Sequence, residues 1–516
     1  MGKTLLVIGL LCLGGLFVRL YNLNGQSLEC EELYTIPAAT GHQYVYVSSD
    51  AGADQGTAPN SIADYRRLLI TESGKGLTDV NGVLRKNVHM PLYFYLMHYW
   101  LRLFGTSEWV LRFPSVVFGV IAVALIFLLG SELLNPLVGF ASALLMAFMP
   151  EQIHYSQQAR MYPLLALIAI SSTYAITLTR KYPSSRLPYI LFAVLSVAGL
   201  YTHYEYVFLL AAQSIHIWLA STPGRRNKFS WLVTQAAVVA AFLPWLVIGL
   251  AQRQSSREII AWVRGPLSPS IIIAEIASKM TRLISVPEAP VGWLSVFVAY
   301  GLFACGLISL RSRRPTLLLL VLWILFPLGG IVLLDYVLGT RAIGIMRYWL
   351  IVAPAIYLLM AVGLNNIHNR GAQILLLTVI GGFLFSTALL TARGELRPKP
   401  DRHKEMAQFI DSQVANTSRE TVLSEGVNSI PLALAYYGKS DAHVLRYKRV
   451  ADELGKQSLG ELIGQGQNVW LLSSQPGRAA KLLEENGYQL TGRQMLYGHI
   501  LLSHYTAHPG AVIPPK

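Results

Sequence analysis

Charged residues are scarce in this chain. Only 14% of its 516 residues are Asp, Glu, Lys or Arg, against about 25% in an ordinary soluble protein. Hydrophobic residues make up 53% instead, and the mean hydropathy is +0.44. This composition excludes intrinsic disorder and a set of ordinary soluble domains. Together with long uncharged apolar runs, it predicts a membrane region.

Cysteine is also scarce. The three cysteines, Cys12, Cys30 and Cys305, are scattered, and two of them lie inside apolar runs. They cannot form a disulfide framework or a cysteine-based metal cage. The sequence also lacks a P-loop, a GxGxxG motif and a zinc-protease motif, so soluble nucleotide chemistry is not supported.

Basic residues outnumber acidic ones, 42 to 28, which gives a net charge of +14. In a soluble protein this excess would suggest nucleic acid. Here the basic residues gather in short loops beside apolar runs, as the positive-inside rule requires. We therefore expect membrane lipids as partners and no nucleic acid.

About eleven membrane spans are predicted. The first run, residues 4–18, is followed by Arg19, Tyr21 and Asn22 where a signal peptide would have small residues, so we interpret it as an uncleaved span. The ten further runs are long enough to cross about 30 Å of hydrocarbon, some with help from tilt. They are centred near Ala122, Leu144, Ile168, Leu195, Leu210, Ala240, Gly301, Leu325, Ala355 and Leu384.

The distribution of basic clusters predicts the orientation. With the N-terminus inside, alternate connections carry the clusters at 180–186, 225–228, 311–314 and 370. The first loop (about 21–112), the turns around Tyr155 and His203, the segment 252–292 and the C-terminus then lie outside the cytoplasm. In the first loop, residues 48–61 are rich in Gly, Ser and Asp, and residues 91–104 form an amphipathic aromatic run. Residues 268–284 look similarly amphipathic.

The composition turns polar near residue 391. Apolar stretches around Val422, Val444 and Val469 alternate with helical patterns at 453–463 and 478–485. The predicted fold is therefore a mainly α polytopic membrane protein with a small extracytoplasmic α/β domain. Its predicted domains are residues 1–392 and 393–516.

Polar residues collect on the predicted extracytoplasmic side, which suggests a polar cavity there. They are Glu31, Glu32, His89, Gln157, Gln158, Arg160, His203, Glu205, Arg341 and Arg347. Each has a plainer reading. The Glu31–Glu32 pair is either a base toward a hydroxyl or a solvated acidic pair. His203 and Glu205 either bind a metal or phosphate or lie in the interface. Each arginine either grips a phosphate or reaches the headgroup layer, and His89 is structural by default.

Six strings occur in a specific order. They are Ser-Leu-Glu-Cys-Glu-Glu-Leu-Tyr (27–34), His-Met-Pro-Leu-Tyr-Phe (89–94), Phe-Gly-Thr-Ser-Glu-Trp-Val-Leu-Arg-Phe-Pro-Ser (104–115), Tyr-Ser-Gln-Gln-Ala-Arg-Met-Tyr (155–162), Tyr-Thr-His-Tyr (201–204) and Arg-Tyr-Trp-Leu-Ile-Val-Ala-Pro (347–354). In these strings the chain resembles the bacterial protein-mannosyltransferase-like and aminoarabinose-transferase-like glycosyltransferases of the GT-C superfamily. The resemblance covers about the first 390 residues.

The resemblance implies a multi-pass enzyme of the bacterial inner membrane. It would transfer a hexose such as mannose, or a pentose, from a polyprenyl-phosphate donor to a protein, lipid or glycan, with inversion. Glu31 would then be the catalytic base and Glu32 its neighbour. His89, Gln158, Arg160, Tyr162, His203, Glu205, Arg341 and Arg347 would bind substrate, with the arginines holding the donor phosphate alone or with a divalent cation (Mg²⁺, Mn²⁺ or Zn²⁺).

The chain departs from the family pattern at two positions. Glu31 stands where the family usually has Asp, and Gln158 stands where it often has an acidic residue. Glu205 would restore the missing charge and, with Glu32, is the candidate metal ligand. Two other classes stay open: a transporter or lipid flippase, whose broken, paired helices the apolar runs do not show, and a catalytically inactive scaffold relative.

Overall fold

The computed structural model describes residues 2–42, 62–72, 74–220, 225–251, 263–399, 401–413, 420–425, 429–439, 443–446, 468–473, 477–497 and 500–507. The sequence predictions for 48–61 and 453–463 lie outside the described residues, as does 252–262 of the predicted segment 252–292. The chain divides into two compact units. The first comprises Met1–Gln26, Leu84–Met97 and Ser107–Pro398, and the second comprises Ser27–Val83, His98–Thr106 and Lys399–Lys516.

The described residues are mostly helical. In chain order the α-helices are α1 (Gly2–Leu20), α2 (Cys30–Thr40), α3 (Ile62–Arg67), α4 (Leu77–Leu84), α5 (Pro91–Phe104), α6 (Glu108–Leu133), α7 (Pro136–Phe148), α8 (Pro150–Ser156), α9 (Tyr162–Lys181), α10 (Leu187–Leu200), α11 (Tyr206–Ala220), α12 (Arg225–Ala251), α13 (Pro269–Ile284), α14 (Gly292–Ser309), α15 (Arg314–Leu338), α16 (Ala353–Asn365), α17 (Arg370–Ala392), α18 (His403–Gln413), α19 (Ile430–Tyr437) and α20 (Arg478–Glu485). The strands are β1 (Glu420–Glu425), β2 (His443–Arg446), β3 (Asn468–Ser473), β4 (Tyr488–Tyr497) and β5 (Ile500–Ala507).

The first unit contains the membrane helices. Among the described residues, six helices are long and apolar enough to cross a membrane: α6, α9, α12, α14, α15 and α17. The bent pair α7–α8 makes a seventh candidate, and α1, α10, α11 and α16 are shorter apolar helices. The predicted multi-span membrane protein is thus confirmed, and every predicted apolar run has its centre in one of these helices. The count of eleven spans and their orientation stay predictions.

The break between α7 and α8 explains a buried arginine in α1. Pro150 has no N–H to offer the carbonyl of Met146, and the chain bends by 55° there. Arg19 is fully buried and supplies the missing donors, to the carbonyl oxygens of Met146 at 2.9 Å and Ala147 at 2.8 Å. Its Nε also donates to the Ser156 hydroxyl at 3.1 Å. A charged side chain is therefore accommodated in an apolar helix because a neighbouring helix is broken.

Small residues bring α14 and α16 into close contact. A Cβ atom at Gly306 would overlap the carbonyl oxygen of Leu359, and one at Gly363 would overlap that of Leu302. Reciprocal glycines of this kind let two membrane helices pack backbone against backbone, where van der Waals contact replaces the hydrophobic effect.

The second unit contains a five-stranded mixed sheet with the order β2-β1-β3-β5-β4. Strand β1 pairs in parallel with β2 and β3, with Val422 opposite Val444 and Trp470, while β3–β5 and β5–β4 are antiparallel. Leu423, Leu471 and Tyr505 form a buried core with Leu483 of α20. The strands predicted around Val422, Val444 and Val469 and the helix at 478–485 are present, whereas the β4–β5 hairpin was not predicted.

Candidate functional site

A buried arginine stands in the turn between α8 and α9. Arg160 is 2% exposed, and its backbone carbonyl accepts a hydrogen bond from the Ser115 hydroxyl at 3.0 Å. Its guanidinium lies 3.3 Å from His89 Nε2. Because a guanidinium can only donate, His89 accepts on Nε2 and is the neutral tautomer. Burial lowers the pKa of His89 well below its ordinary value, and the charge of Arg160 lowers it further.

The two glutamines of the same turn have different partners. Gln157 donates to the backbone carbonyls of Arg19 at 3.0 Å and Tyr21 at 2.9 Å, so it ties the turn to the end of α1. Gln158 is buried with its amide nitrogen 3.0 Å from His154 Nε2. The residue that departs from the family pattern therefore contacts a neighbouring imidazole.

The turn between α10 and α11 adds a second histidine. The backbone N–H of Glu205 donates to His203 Nδ1 at 3.3 Å, so this imidazole is neutral as well. Burial lowers the pKa of His203 to about 3, helped by the charges of Arg160 and Arg347. Burial also raises the pKa of Glu205 well above its ordinary value, with Arg347 acting in the opposite direction. Burial therefore favours the neutral form of the Glu205 carboxyl, and the charge of Arg347 favours the ionised form.

Arg347 lies on a short 3₁₀ turn, Met346–Trp349, after α15. Its guanidinium carbon is 5.5 Å from the ring centroid of Tyr348, a cation–π contact. The Tyr348 ring is 5.7 Å from His203 and 6.5 Å from Tyr162, which begins α9. The rings of Tyr162 and His203 are 5.8 Å apart. These aromatic contacts, and the effect of the Arg347 charge on His203, place Arg347 beside the α8–α9 and α10–α11 turns.

The chain before Arg347 is shaped by a buried carboxylate that the sequence analysis did not single out. Asp335 is fully buried, and its oxygens accept from the Thr340 hydroxyl at 2.6 Å and from the N–H groups of Ala342 at 2.7 Å and Ile343 at 2.8 Å. A lone acid near the end of the apolar helix α15 was the available signal.

We predict that Asp335→Ala destabilises the protein. It removes three hydrogen bonds to a carboxylate and leaves two N–H groups, the buried one of Ile343 and the partly buried one of Ala342, without that acceptor, which costs about 3 kcal/mol or more. Thermal unfolding in detergent should show a clearly lower melting temperature than for Asp411→Ala, a change in the second unit. A melting temperature equal to that of the wild type would contradict this role.

We name His89, Arg160, His203, Arg347 and Tyr348 the Arg/His cluster. Its two guanidiniums keep their positive charge, while burial and those charges keep both imidazoles neutral. His89, His203, Arg347 and Tyr348 are half-buried, whereas Arg160 is enclosed. A partly enclosed, net positive group of planar donors is suited to an anion, and paired guanidiniums are suited to phosphate oxygens.

Arg341 has a different environment. Its guanidinium donates to Glu275 of α13 at 3.0 Å, and Glu275 also pairs with Lys279 at 3.2 Å. Its backbone N–H donates to the Val263 carbonyl at 2.9 Å. The described contacts thus place Arg341 against α13, and they do not bring it to the Arg/His cluster.

In the second unit, the acidic pair lies in the first turn of α2. Glu32 is fully buried and accepts from Lys399 Nζ at 2.6 Å and from the Glu29 N–H at 3.0 Å. Glu31 is half-buried. Successive helical side chains diverge by about 100°, so Glu31 lies on a different face from Glu32. The pair predicted as one feature therefore divides into a carboxylate held by a lysine and a carboxylate that points elsewhere.

The described residues of the two units offer no good cation site. The described residues contain no group of three or more His, Cys, Asp and Glu that could hold a metal ion. Of the two candidate ligands, Glu32 is already paired with Lys399, and Glu205 shares its surroundings with the positive charge of Arg347. This described donor set does not fit the divalent cation that the resemblance left open.

Comparison with known proteins gives a family match over part of the chain. Residues 88–248 match the model of the family described as dolichyl-phosphate-mannose-protein mannosyltransferase, which is less than half of the chain. This segment includes His89, Gln158, Arg160, Tyr162, His203 and Glu205. No curated protein matches the chain at the sequence level.

Solved structures share the fold. ArnT from Cupriavidus metallidurans bound to undecaprenyl phosphate superposes with a TM-score of 0.60 and 13% identity, covering 98% of both chains. Apo ArnT gives 0.55 and 13%, with 81% of this chain and 87% of that one. The oligosaccharyltransferase AglB from Archaeoglobus fulgidus, in complex with an inhibitory peptide and a dolichol-phosphate, gives 0.51 and 11%, with 99% and 75%. These structures show a shared fold, and together with the family match over residues 88–248 they confirm the resemblance to GT-C glycosyltransferases seen in the sequence.

Proposed function

We propose that this chain, a membrane protein with the GT-C fold, transfers a sugar from a polyprenyl-phosphate donor to an acceptor outside the cytoplasm. The observation that carries the proposal is the Arg/His cluster, in which two arginines and two neutral imidazoles lie together in surroundings suited to an anion. The family match includes three of its five residues, and the similar ArnT and AglB structures contain undecaprenyl phosphate and dolichol-phosphate.

The chemistry of the donor explains why two cations are useful. A polyprenyl-phosphate sugar is a phosphodiester with one negative charge, and departure of the sugar leaves a monoester with more negative charge. Arg160 and Arg347 therefore interact more strongly with the leaving group than with the intact donor. Only such differential binding lowers the barrier to transfer.

We propose Glu31 as the base that takes the proton from the acceptor as it attacks the anomeric carbon. Attack on the face opposite the departing phosphate inverts that carbon. A carboxylate can accept that proton, and Glu32, the neighbour of Glu31, is paired with Lys399. Gln158, Tyr162 and Glu205 complete the proposed donor region. Arg341, which is paired with Glu275, is proposed as a peripheral phosphate contact of smaller effect.

The finer parts of the proposal concern topology and substrate. Six long helices, the bent pair α7–α8 and four shorter apolar helices support eleven spans. The positive-inside pattern supports an extracytoplasmic C-terminus in a bacterial inner membrane. The sequence resemblance supports a hexose such as mannose, or a pentose, as the sugar and a protein, lipid or glycan as the acceptor. The description of the matching family names mannose and protein.

Binding of the product lipid tests the anion site without turnover. We expect undecaprenyl phosphate to raise the melting temperature of the purified protein, since a ligand at 100 times its Kd stabilises by about 2.7 kcal/mol. Undecaprenol, which has the same chain and no phosphate, should have little effect. Equal shifts with both lipids would contradict a phosphate site, and Arg347→Ala should abolish the difference between them.

A further inference from the structure

We propose that Lys399 is a positioning residue for transfer, because its buried ion pair with Glu32 fixes the first turn of α2 and hence the direction of Glu31. The polar C-terminal segment that begins near Lys399 would then contribute to catalysis. This inference rests on the proposed role of Glu31 as base.

The ion pair is enclosed. Lys399 Nζ lies 2.6 Å from Glu32 Oε2, and the two side chains are 2% and 1% exposed. The same Glu32 oxygen accepts the Glu29 N–H at 3.0 Å, at the residue before α2 begins. Lys399 therefore holds a carboxylate that in turn holds the start of the helix.

The residues after Lys399 hold the same acidic segment by its backbone. Asp401 Oδ2 accepts the Cys30 N–H at 2.7 Å, and His403 Nδ1 lies 2.8 Å from the Leu28 carbonyl oxygen. Further along, Ser27 donates to Glu405 at 2.8 Å. Four residues of one short segment, Lys399, Asp401, His403 and Glu405, thus contact residues 27–32. Hydrogen bonds to the residues at the start of a helix determine where the helix begins and how its first side chains point.

Lys399 is also the counter-charge for a crowded group of carboxyls. Burial raises the pKa of Glu29 to about 7, and the charges of Glu32, Glu31 and Asp401 raise it too, while Lys399 lowers it. Without the lysine, repulsion among these groups would push the first turn of α2 apart. A buried ion pair is weak evidence for stability by itself, and its better-supported use is to specify one arrangement.

The test changes the lengths of the Lys399 and Glu32 side chains in opposite directions. Lys399→Arg lengthens one side chain and Glu32→Asp shortens the other, so each single variant displaces the first turn of α2. A displacement of about 1 Å can cost up to about 10²-fold in rate. We expect each single variant to lower kcat about tenfold or more with an unchanged KM for the polyprenyl-phosphate donor. The double variant should recover most of the loss.

The matched control is the same exchange on an exposed pair of the second unit. Lys481 and Glu485 lie 3.6 Å apart with side chains 78% and 59% exposed, so Lys481→Arg with Glu485→Asp should leave kcat unchanged. Melting temperatures identify any variant that does not fold. If one single variant fails to fold, kcat of the other single variant and of the double variant tests the inference.

Two results would overturn the inference: single variants with wild-type kcat, or a double variant whose loss is the product of the two single losses. Either would show that Glu31 does not depend on the pair. Failure of the proposed function is seen separately. In that case the wild-type chain would transfer no sugar, or Glu31→Gln would be as active as the wild type, whatever the Lys399 variants do.

Discussion

Replacing Arg347 by alanine is expected to lower kcat/KM for the polyprenyl-phosphate donor about 10²- to 10³-fold. The guanidinium lies in a half-buried cluster, where a fixed charge aimed at a developing negative charge contributes about 3–4 kcal/mol to the transition state. Arg160→Ala should have a loss of the same order, because its guanidinium is more deeply buried and adjoins His89.

The effect should appear in donor use and in the chemical step rather than in the acceptor KM. Steady-state kinetics with each substrate varied in turn measures this. Arg393→Ala is the matched control, because Arg393 is half-exposed and pairs with the exposed Glu395 in the same unit. In either cluster variant, an acceptor KM that rises by a larger factor than kcat/KM for the donor falls would contradict the phosphate assignment.

Glu31→Gln is expected to lower kcat between about 10²- and 10⁴-fold, the range of a lost general base. The amide has nearly the same size and cannot take a proton, so donor binding should persist. Glu31→Asp retains the carboxylate and should stay within about tenfold of the wild type. Glu485→Gln, an exposed acid in the same unit, should have no effect.

Donor binding is followed by the melting-temperature shift with undecaprenyl phosphate, and kcat by transfer of labelled sugar. Glu31→Gln with wild-type kcat would show that another group is the base. Glu29 would then be the first candidate, because burial raises its pKa to about 7, near the value that suits a base at neutral pH.

Much of the fold could be predicted because membrane helices and buried strands leave strong local patterns. The apolar runs around Ala122 and Leu325 became α6 and α15, and the short apolar stretches around Val422 and Val469 became β1 and β3. The β4–β5 hairpin was missed although its pairing is local in sequence, with Tyr497 opposite Ile500. Leu490 and Met495, which are exposed on β4, give no clear alternating pattern.

The candidate site was predicted in its composition and only partly in its arrangement. The strings around Arg160, His203 and Arg347 gave the residue types, and the structure brings these three together through neutral imidazoles and Tyr348. Arg341 was grouped with them because it is near Arg347 in sequence. Its pairing with Glu275, from a segment more than 60 residues earlier, has no local signature.

Lys399 shows the same difficulty in the second unit. It lies in a polar stretch without a motif, 367 residues after its partner Glu32. An ion pair between distant residues depends on how the chain folds back, and a single sequence does not record that. Asp335 is the opposite case, because a lone acid near the end of an apolar helix is a signal that can be recognised in the sequence.

The most direct test of the central claim is transfer of radiolabelled sugar from a panel of polyprenyl-phosphate sugars, in membranes that contain the wild-type chain, Glu31→Gln or Arg347→Ala. We predict that at least one donor supports transfer by the wild type, that Glu31→Gln loses transfer while it still binds undecaprenyl phosphate, and that Arg347→Ala loses both. Transfer by none of the three from any donor, in membranes where the protein is folded, would contradict glycosyl transfer and favour a scaffold or a transporter.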